Sequence, residues 1–203
     1  MIKRILVVLC AMAILFGLSA CSGGDKETDG EPEYTGLPPY DKENIESYFS
    51  ELPVYKGLTV DGDADALWKK ITNEAQIKEY PAEQVEYYAF MERAKYSYYA
   101  EREGIEYDEL LEGLSVTEES IRETAKKLVK EDLVFEYVVL DAKIELTDEE
   151  KQEFFQKYVD KFKTLYGHDE KYIREYMTEQ IYDTMLFDKT MEYLLLNNTV
   201  NKK

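Results

Sequence analysis

Residues 118–142 read EESIRETAKKLVKEDLVFEYVVLDA, and the fold class turns on the second half of this stretch. Taken alone, Leu133 to Leu140 is rich in Val, Phe and Tyr and favours a strand. Read in register with what precedes it, the segment is helical. Ile121, Ala125, Leu128, Phe135, Val139 and Ala142 follow at spacings of four, three, seven, four and three. That is the repeat of one helix face, and only Asp132 interrupts it. The spacing predicts one long helix beginning after Thr117, with Val116 and Ile121 as a hydrophobic staple. Its second half is expected to be buried on all sides.

Helical signals continue on both sides. A helix is predicted over about 64–75. Another starts at Pro81, whose missing N–H is not needed in a first turn, and runs from there to about Glu103 and Gly104. A short one lies around 107–112. Thr147-Asp148-Glu149-Glu150 fits a capping box, and the helix it opens ends at Tyr166-Gly167 with glycine as the left-handed cap. Two more cover about 169–177 and 179–197. Upstream, Ile45, Tyr48, Phe49 and Leu52 have helical spacing until Pro53. Val54 to Val60 reads as a short extended piece with a turn. No segment shows alternating strands separated by turns. The expected fold is all-α, with a helical domain over 64–203 and a short helix and extended segment over 41–63.

The first twenty residues carry a different message. Lys3 and Arg4 precede an apolar run from Ile5 to Leu18, which is shorter than the roughly 20 residues of a membrane span. A basic start, a short apolar stretch and small residues after it read as a secretory signal. Leu18-Ser19-Ala20-Cys21 looks like a bacterial lipobox, in which cleavage precedes the Cys and its thiol receives a diacylglycerol. The competing readings are an ordinary signal with a chance Cys, or an uncleaved anchor. Residues 1–20 are therefore expected to be a lipoprotein signal peptide, and Cys21 the lipid attachment site. Residues 21–40 follow as a tether rich in Gly, Asp, Glu and Pro, too polar to order itself. The 18 residues from Ser22 to Pro39 would reach at most ~60 Å extended and roughly 25 Å as a flexible coil.

Composition narrows the function. The 203 residues hold 43 acids against 25 Lys and Arg, a formal charge of -18. Loss of the signal removes Lys3 and Arg4 but no acid, so 183 residues would carry -20. Such a chain argues against nucleic acid, which needs clustered cations. Of the two cysteines, Cys10 leaves with the signal and Cys21 takes lipid, so no disulfide is expected. Asp61-Gly62-Asp63-Ala64-Asp65 resembles the start of a calcium loop, but Ala66 and Thr72 stand where that loop needs Gly and Glu. The simpler reading is a loop whose last Asp caps the next helix. His168, the single histidine, is read as a solvated loop residue with no second His or Cys for zinc. No nucleophile arrangement or phosphate loop suggests itself, and no cofactor or metal is expected.

The 18 tyrosines carry more information. On the helix after Pro81, Tyr87, Met91, Ala94 and Tyr98 form one stripe. Val85, Tyr88, Ala89, Tyr96 and Tyr99 form another on the opposite side. Either this helix is sandwiched between two others, or one stripe is an exposed patch for apolar segments of other proteins. The first stripe is the candidate client-binding surface, since Tyr adds a hydroxyl to a ring and Met adapts its shape.

In order and spacing, about 66–200 resembles the helical C-terminal chaperone domain of bacterial trigger factor. The matching features are Glu79-Tyr80-Pro81, Val129-Lys130-Glu131-Asp132-Leu133-Val134, Ile144 to Glu150 and Leu165-Tyr166-Gly167. They end with Asp188-Lys189, Tyr193-Leu194 and Asn198-Thr199-Val200. Upstream, Tyr55-Lys56-Gly57-Leu58-Thr59-Val60 resembles the segment leading into that family's prolyl isomerase domain. Only a short loop separates Val60 from the helix near Ala64, so the isomerase domain is missing, as is the ribosome-docking domain. Secreted foldases of the SurA and PrsA type share a related helical part. The resemblance implies an elongated multi-helix domain and a lipid-anchored, extracytoplasmic, ATP-independent holdase in a bacterium. It implies unfolded or nascent secreted polypeptides as partners, the membrane as anchor, and neither ribosome nor isomerase activity. The alternative is a surface lipoprotein with one dedicated partner on the same scaffold.

Overall fold

The computed structural model describes residues 42–201. The signal peptide, Cys21 and the tether lie outside the described residues. The described chain is predominantly helical, as expected of an all-α fold. A 3-10 segment, Lys42–Tyr48, is followed by strands β1 (Phe49–Glu51) and β2 (Thr59–Asp61), helix α1 (Ala64–Glu74) and strand β3 (Gln76–Ile77). Helices α2 (Ala82–Glu103), α3 (Tyr107–Leu114), α4 (Glu118–Asp141), α5 (Asp148–Tyr166), α6 (Glu170–Tyr176) and α7 (Thr178–Leu196) come next, and strand β4 (Thr199–Asn201) closes the order. No described helix is long and apolar enough to cross a membrane.

The segment that decides the fold is one continuous helix. Leu133, Val134 and Val138 of α4 are fully buried, and Tyr137 and Val139 nearly so. Thr117 and Ser120 cap its start reciprocally: Thr117 Oγ1 accepts from the Ser120 N–H at 3.1 Å, and Ser120 Oγ accepts from the Thr117 N–H at 2.9 Å. Three other boundaries follow their residues. Pro81 is the N-cap of α2, one position before the helix, and Gly104 ends it at φ 69°. Thr147 and Glu150 form the expected capping box of α5, with Gly167 at φ 71° behind it. Asp63, not the last Asp of its loop, caps α1: its Oδ1 accepts from the Ala66 N–H at 3.0 Å, while Asp65 sits in the first turn.

The short strands depart from the expectation. β2 and β4 pair in parallel, with Thr59 opposite Thr199, Val60 opposite Val200 and Asp61 opposite Asn201. Strands of three residues show no readable alternation, and these partners lie about 140 residues apart. The pair is held by Asn198. Its Oδ1 accepts from the Leu58 N–H at 2.8 Å, and its Nδ2 donates to the carbonyls of Tyr55 at 2.9 Å and Leu194 at 2.7 Å. The Gly57 N–H donates to the Asn197 carbonyl at 2.9 Å, with Gly57 at φ 72°. Gly62 sits at φ 134° in the turn into α1, where a Cβ would meet the Ala66 Cβ at 3.0 Å.

Contacts divide the chain into two compact units, which differ from the linear split at residue 63. One contains 42–50 and 77–133, the other 51–76 and 134–201. In the first, Ile45 and Phe49 are buried, but the helix expected to run to Pro53 is a 3-10 segment that stops at Tyr48, and Phe49 opens strand β1; the Lys78 N–H donates to the Tyr48 carbonyl at 2.8 Å. In the second, Val159, Phe162, Ile173, Met177, Ile181 and Met185 form a core among α5, α6 and α7. Trp68 of α1 and Phe135 of α4 both pack on Phe187 of α7, with ring centroids 6.1 and 5.7 Å away. Lys189 of α7 ties down the start of α5. Its Nζ donates to the Glu145 carbonyl at 2.7 Å and to the two Glu150 oxygens at 2.6 and 2.7 Å. Asp188 beside it accepts from the Tyr158 hydroxyl at 2.8 Å and Lys161 at 3.3 Å.

Two predictions follow from this unit. Asn198→Ala removes three hydrogen bonds to the backbone, leaving the Leu58 N–H and the Tyr55 carbonyl without that partner, and should lower stability in urea by about 2–4 kcal/mol. The Glu150 carboxyl lies below its ordinary 4.5, first through Lys189 and then through the Thr147 N–H. A carboxyl depressed in the folded state contributes stability above its ordinary value and loses it as pH falls through the folded one. Stability should therefore hold from neutral pH to about pH 5 and decline below it, with part of that decline removed by Lys189→Met.

Candidate functional site

Helix α2 was expected to carry the client surface, and its two halves differ. Tyr87 is 3 % exposed and Met91 is 5 % exposed, so half of the candidate stripe is core. On the opposite side Val85, Tyr88 and Ala89 are buried too. The first half of α2 is therefore covered on both faces. Tyr87 and Tyr88 meet edge to face at 5.5 Å, and the Tyr88 hydroxyl donates to the Asp132 carboxylate of α4. Burial also pushes the Tyr87 hydroxyl up from its ordinary pKa. A client could reach Tyr87 or Met91 only if this packing opened.

The second half of α2 is less covered, although Ala100 within it is buried. Ala94, Tyr96, Tyr98 and Tyr99 are each half-buried. Lys95 lies over the Tyr96 ring at 4.7 Å and Arg102 over the Tyr99 ring at 5.3 Å, so a cation covers one face of each ring. After Gly104 the chain turns back and α3 lies against α2. Not one α3 residue is buried. Tyr107, Leu110, Leu111 and Leu114 recur at helical spacing on one face; the first three are half-buried and Leu114 is 55 % exposed. Val116, past the left-handed Ser115 at φ 54°, continues the strip, half-buried.

The strip sits on a fixed base. Arg93 of α2 pairs with Glu118 at the start of α4, and Arg122 pairs with Glu118 at 3.4 Å and with Glu86 of α2 at 2.5 Å. The Arg93 guanidinium holds the Glu118 carboxyl below its ordinary range. These pairs are largely exposed and add little stability each, but they set the relation of α2 to α4. The outcome is a group of partly exposed Leu and Tyr side chains between Ala94 and Val116, set among charged neighbours such as Lys95, Arg102 and Glu109. Of the expected residues, Ala94 and Tyr98 belong to it. The 107–110–111–114 spacing was visible in the sequence, yet eight residues of helix with no covered face gave no reason to single it out.

The other candidates resolve simply. His168 is half-buried and stacks on Tyr172 at 4.2 Å, so it is a packed residue rather than a fully solvated one. Among the described residues, no three His, Cys, Asp or Glu side chains gather as a metal ligand set. Several tyrosines anchor helices instead of forming surface: Tyr55 and Tyr158 donate to Asp141 and Asp188 as Tyr88 does to Asp132. Burial, then the bond to Asp141, pushes Tyr55 up to about 12.

No family model, no curated protein and no solved structure matches the chain. The resemblance read from motif order in the sequence finds no support in these comparisons. Several of those motifs have structural work here: Asn198 and the Tyr55–Val60 segment bind each other, and Lys189 binds the capping box of α5.

The burial difference is measurable. Met91→Ala should cost about 2–5 kcal/mol in urea unfolding, as a core truncation. Leu114→Ser should stay within about 0.5 kcal/mol of the parent, as a surface change.

Proposed function

We propose that this chain is a bacterial, lipid-anchored, extracytoplasmic holdase that acts without ATP on unfolded or nascent secreted polypeptides. The observation that carries the reading is α3, a helix whose Leu and Tyr side chains find no full cover. A monomer that leaves such a strip exposed accepts apolar contact from elsewhere. The half-buried tyrosines of α2 extend the strip and suit varied partners, because rings tolerate many side chains. The lipoprotein signal and Cys21 support a site of action outside the cytoplasm, on the outer face of the cell membrane. Only Gly62 and Asp63 separate β2 from α1, which supports a chaperone without the isomerase insertion.

Binding of this kind draws on apolar burial, worth roughly 25 cal/mol per Å² before ordering costs, so each contact is weak and reversible. The acidic remainder of the surface keeps the loaded protein in solution.

The test is light scattering from a denatured client diluted into the mature chain carrying Cys21→Ser. The parent should suppress aggregation at several-fold excess. Leu110→Ser with Leu114→Ser should lose most of that suppression while keeping the parent's urea midpoint. No suppression by the parent contradicts the proposal. A pull-down from the envelope that returns a single stoichiometric protein supports the dedicated-partner alternative instead.

A further inference from the structure

Helix α3 is weakly held. At eight residues it is too short to be stable in water alone, so it depends on packing, and none of its residues is buried. No side chain caps its first turn. Its last turn holds Glu112 and no base, against the helix dipole. Gly113 lies inside it where an added Cβ would meet open space, so this glycine lowers helix propensity without relieving a clash. Among the described residues, no side chain from Ile105 to Val116 makes a hydrogen bond or ion pair. Left-handed residues stand at both ends, Gly104 at φ 69° and Ser115 at φ 54°. Its neighbours in the same unit are fastened differently. α2 and the first half of α4 carry buried side chains, among them Tyr88, Met91, Ile121 and Val129, and are joined by Tyr88 to Asp132 and by Arg93 to Glu118. Thr117 and Ser120 fix the chain where it enters α4.

We infer that α3 is a flap that unfolds from α2 as a unit, between Gly104 and Thr117, and that clients bind the surface this opening completes. A segment with no buried side chain and no polar tie opens locally at a fraction of the global cost. Its release leaves the base of α2 and α4 in place and uncovers the end of α2, where Ala100 is buried and Tyr96 and Tyr99 are half-buried. Freed, residues 105–116 reach up to ~40 Å and bring Leu110, Leu111 and Leu114 along a client. The opening belongs to the fold; its use by clients rests on the holdase reading. Under that reading, binding scales with the fraction of chains whose flap is open.

The experiment is hydrogen exchange, read by mass spectrometry, on the mature chain carrying Cys21→Ser. After correction for intrinsic rates, amides of 108–114 should exchange together, at least ~100-fold faster than those of 85–91 and 121–133, and independently of urea below the unfolding range. Gly113→Ala should slow that exchange roughly 2- to 5-fold. Glu112→Pro should bring it to the rate of an unfolded peptide while 85–91 and 121–133 stay protected. Association with fluorescent, reduced and carboxymethylated lysozyme should slow by the same factor in Gly113→Ala and quicken in Glu112→Pro. Exchange of 108–114 only together with α2 and α4 overturns the flap, whatever the unfolded chain does. Fast local exchange with association unchanged in both variants overturns its role in binding and leaves the holdase reading standing. No association with the parent overturns the holdase reading, and the flap's role in binding with it.

Discussion

Asn198 holds together two segments that no local propensity would join. Its side chain replaces the backbone partners that three-residue strands cannot supply for themselves, accepting from Leu58 and donating to Tyr55 and Leu194. Gly57 makes the junction possible, because at φ 72° a side chain would add strain next to the bond to Asn197. The parallel register of β2 and β4 follows. So do the position of α1, which leaves β2 through the Gly62 turn, and the end of α7, which runs into Asn198. A parallel pair needs a long crossover, and here the crossover is most of the chain. The second unit is thereby closed by its own termini.

Helices elsewhere are fastened by polar side chains at their ends and by tyrosine hydroxyls on carboxylates. Lys189 and Glu150 serve α5 and α7 together, since one carboxylate both completes a capping box and receives the amine. Tyr88 on Asp132 and Tyr55 on Asp141 let buried rings keep a satisfied hydroxyl, and Tyr158 on Asp188 does the same for a half-buried one. Part of the chain's excess of acid and of tyrosine is thus spent on internal bonds. Among the described residues, large apolar side chains stay exposed at several places, Leu114 of α3 and Leu196 at the end of α7 among them.

Local signals were legible and distant ones were not. The seam from Ile121 to Ala142 identified α4 because a helix face repeats within the segment itself. Thr147 and Glu150 identified the start of α5 because both partners lie within one turn. Two stripes on α2 were equally clear, but periodicity shows which side chains share a face, not what covers it. Of the two possibilities for the first stripe, covered or exposed, Tyr87 and Met91 follow the covered one, while on α3 Leu110 is half-buried and Leu114 exposed. The pairing of Tyr55–Val60 with Asn198–Val200 was invisible for the opposite reason. Each half was noted as a motif, and only the fold brings them together.

The central claim is that clients meet the protein at α3 and not at the buried half of α2. Photo-crosslinking tests it most directly, with a benzophenone side chain placed at Leu114 in one variant and at Tyr87 in another, each mixed with an unfolded polypeptide. The account predicts adducts from position 114 with several unrelated unfolded chains, and none from position 87. Adducts from 87 with none from 114, or adducts from neither, would contradict it.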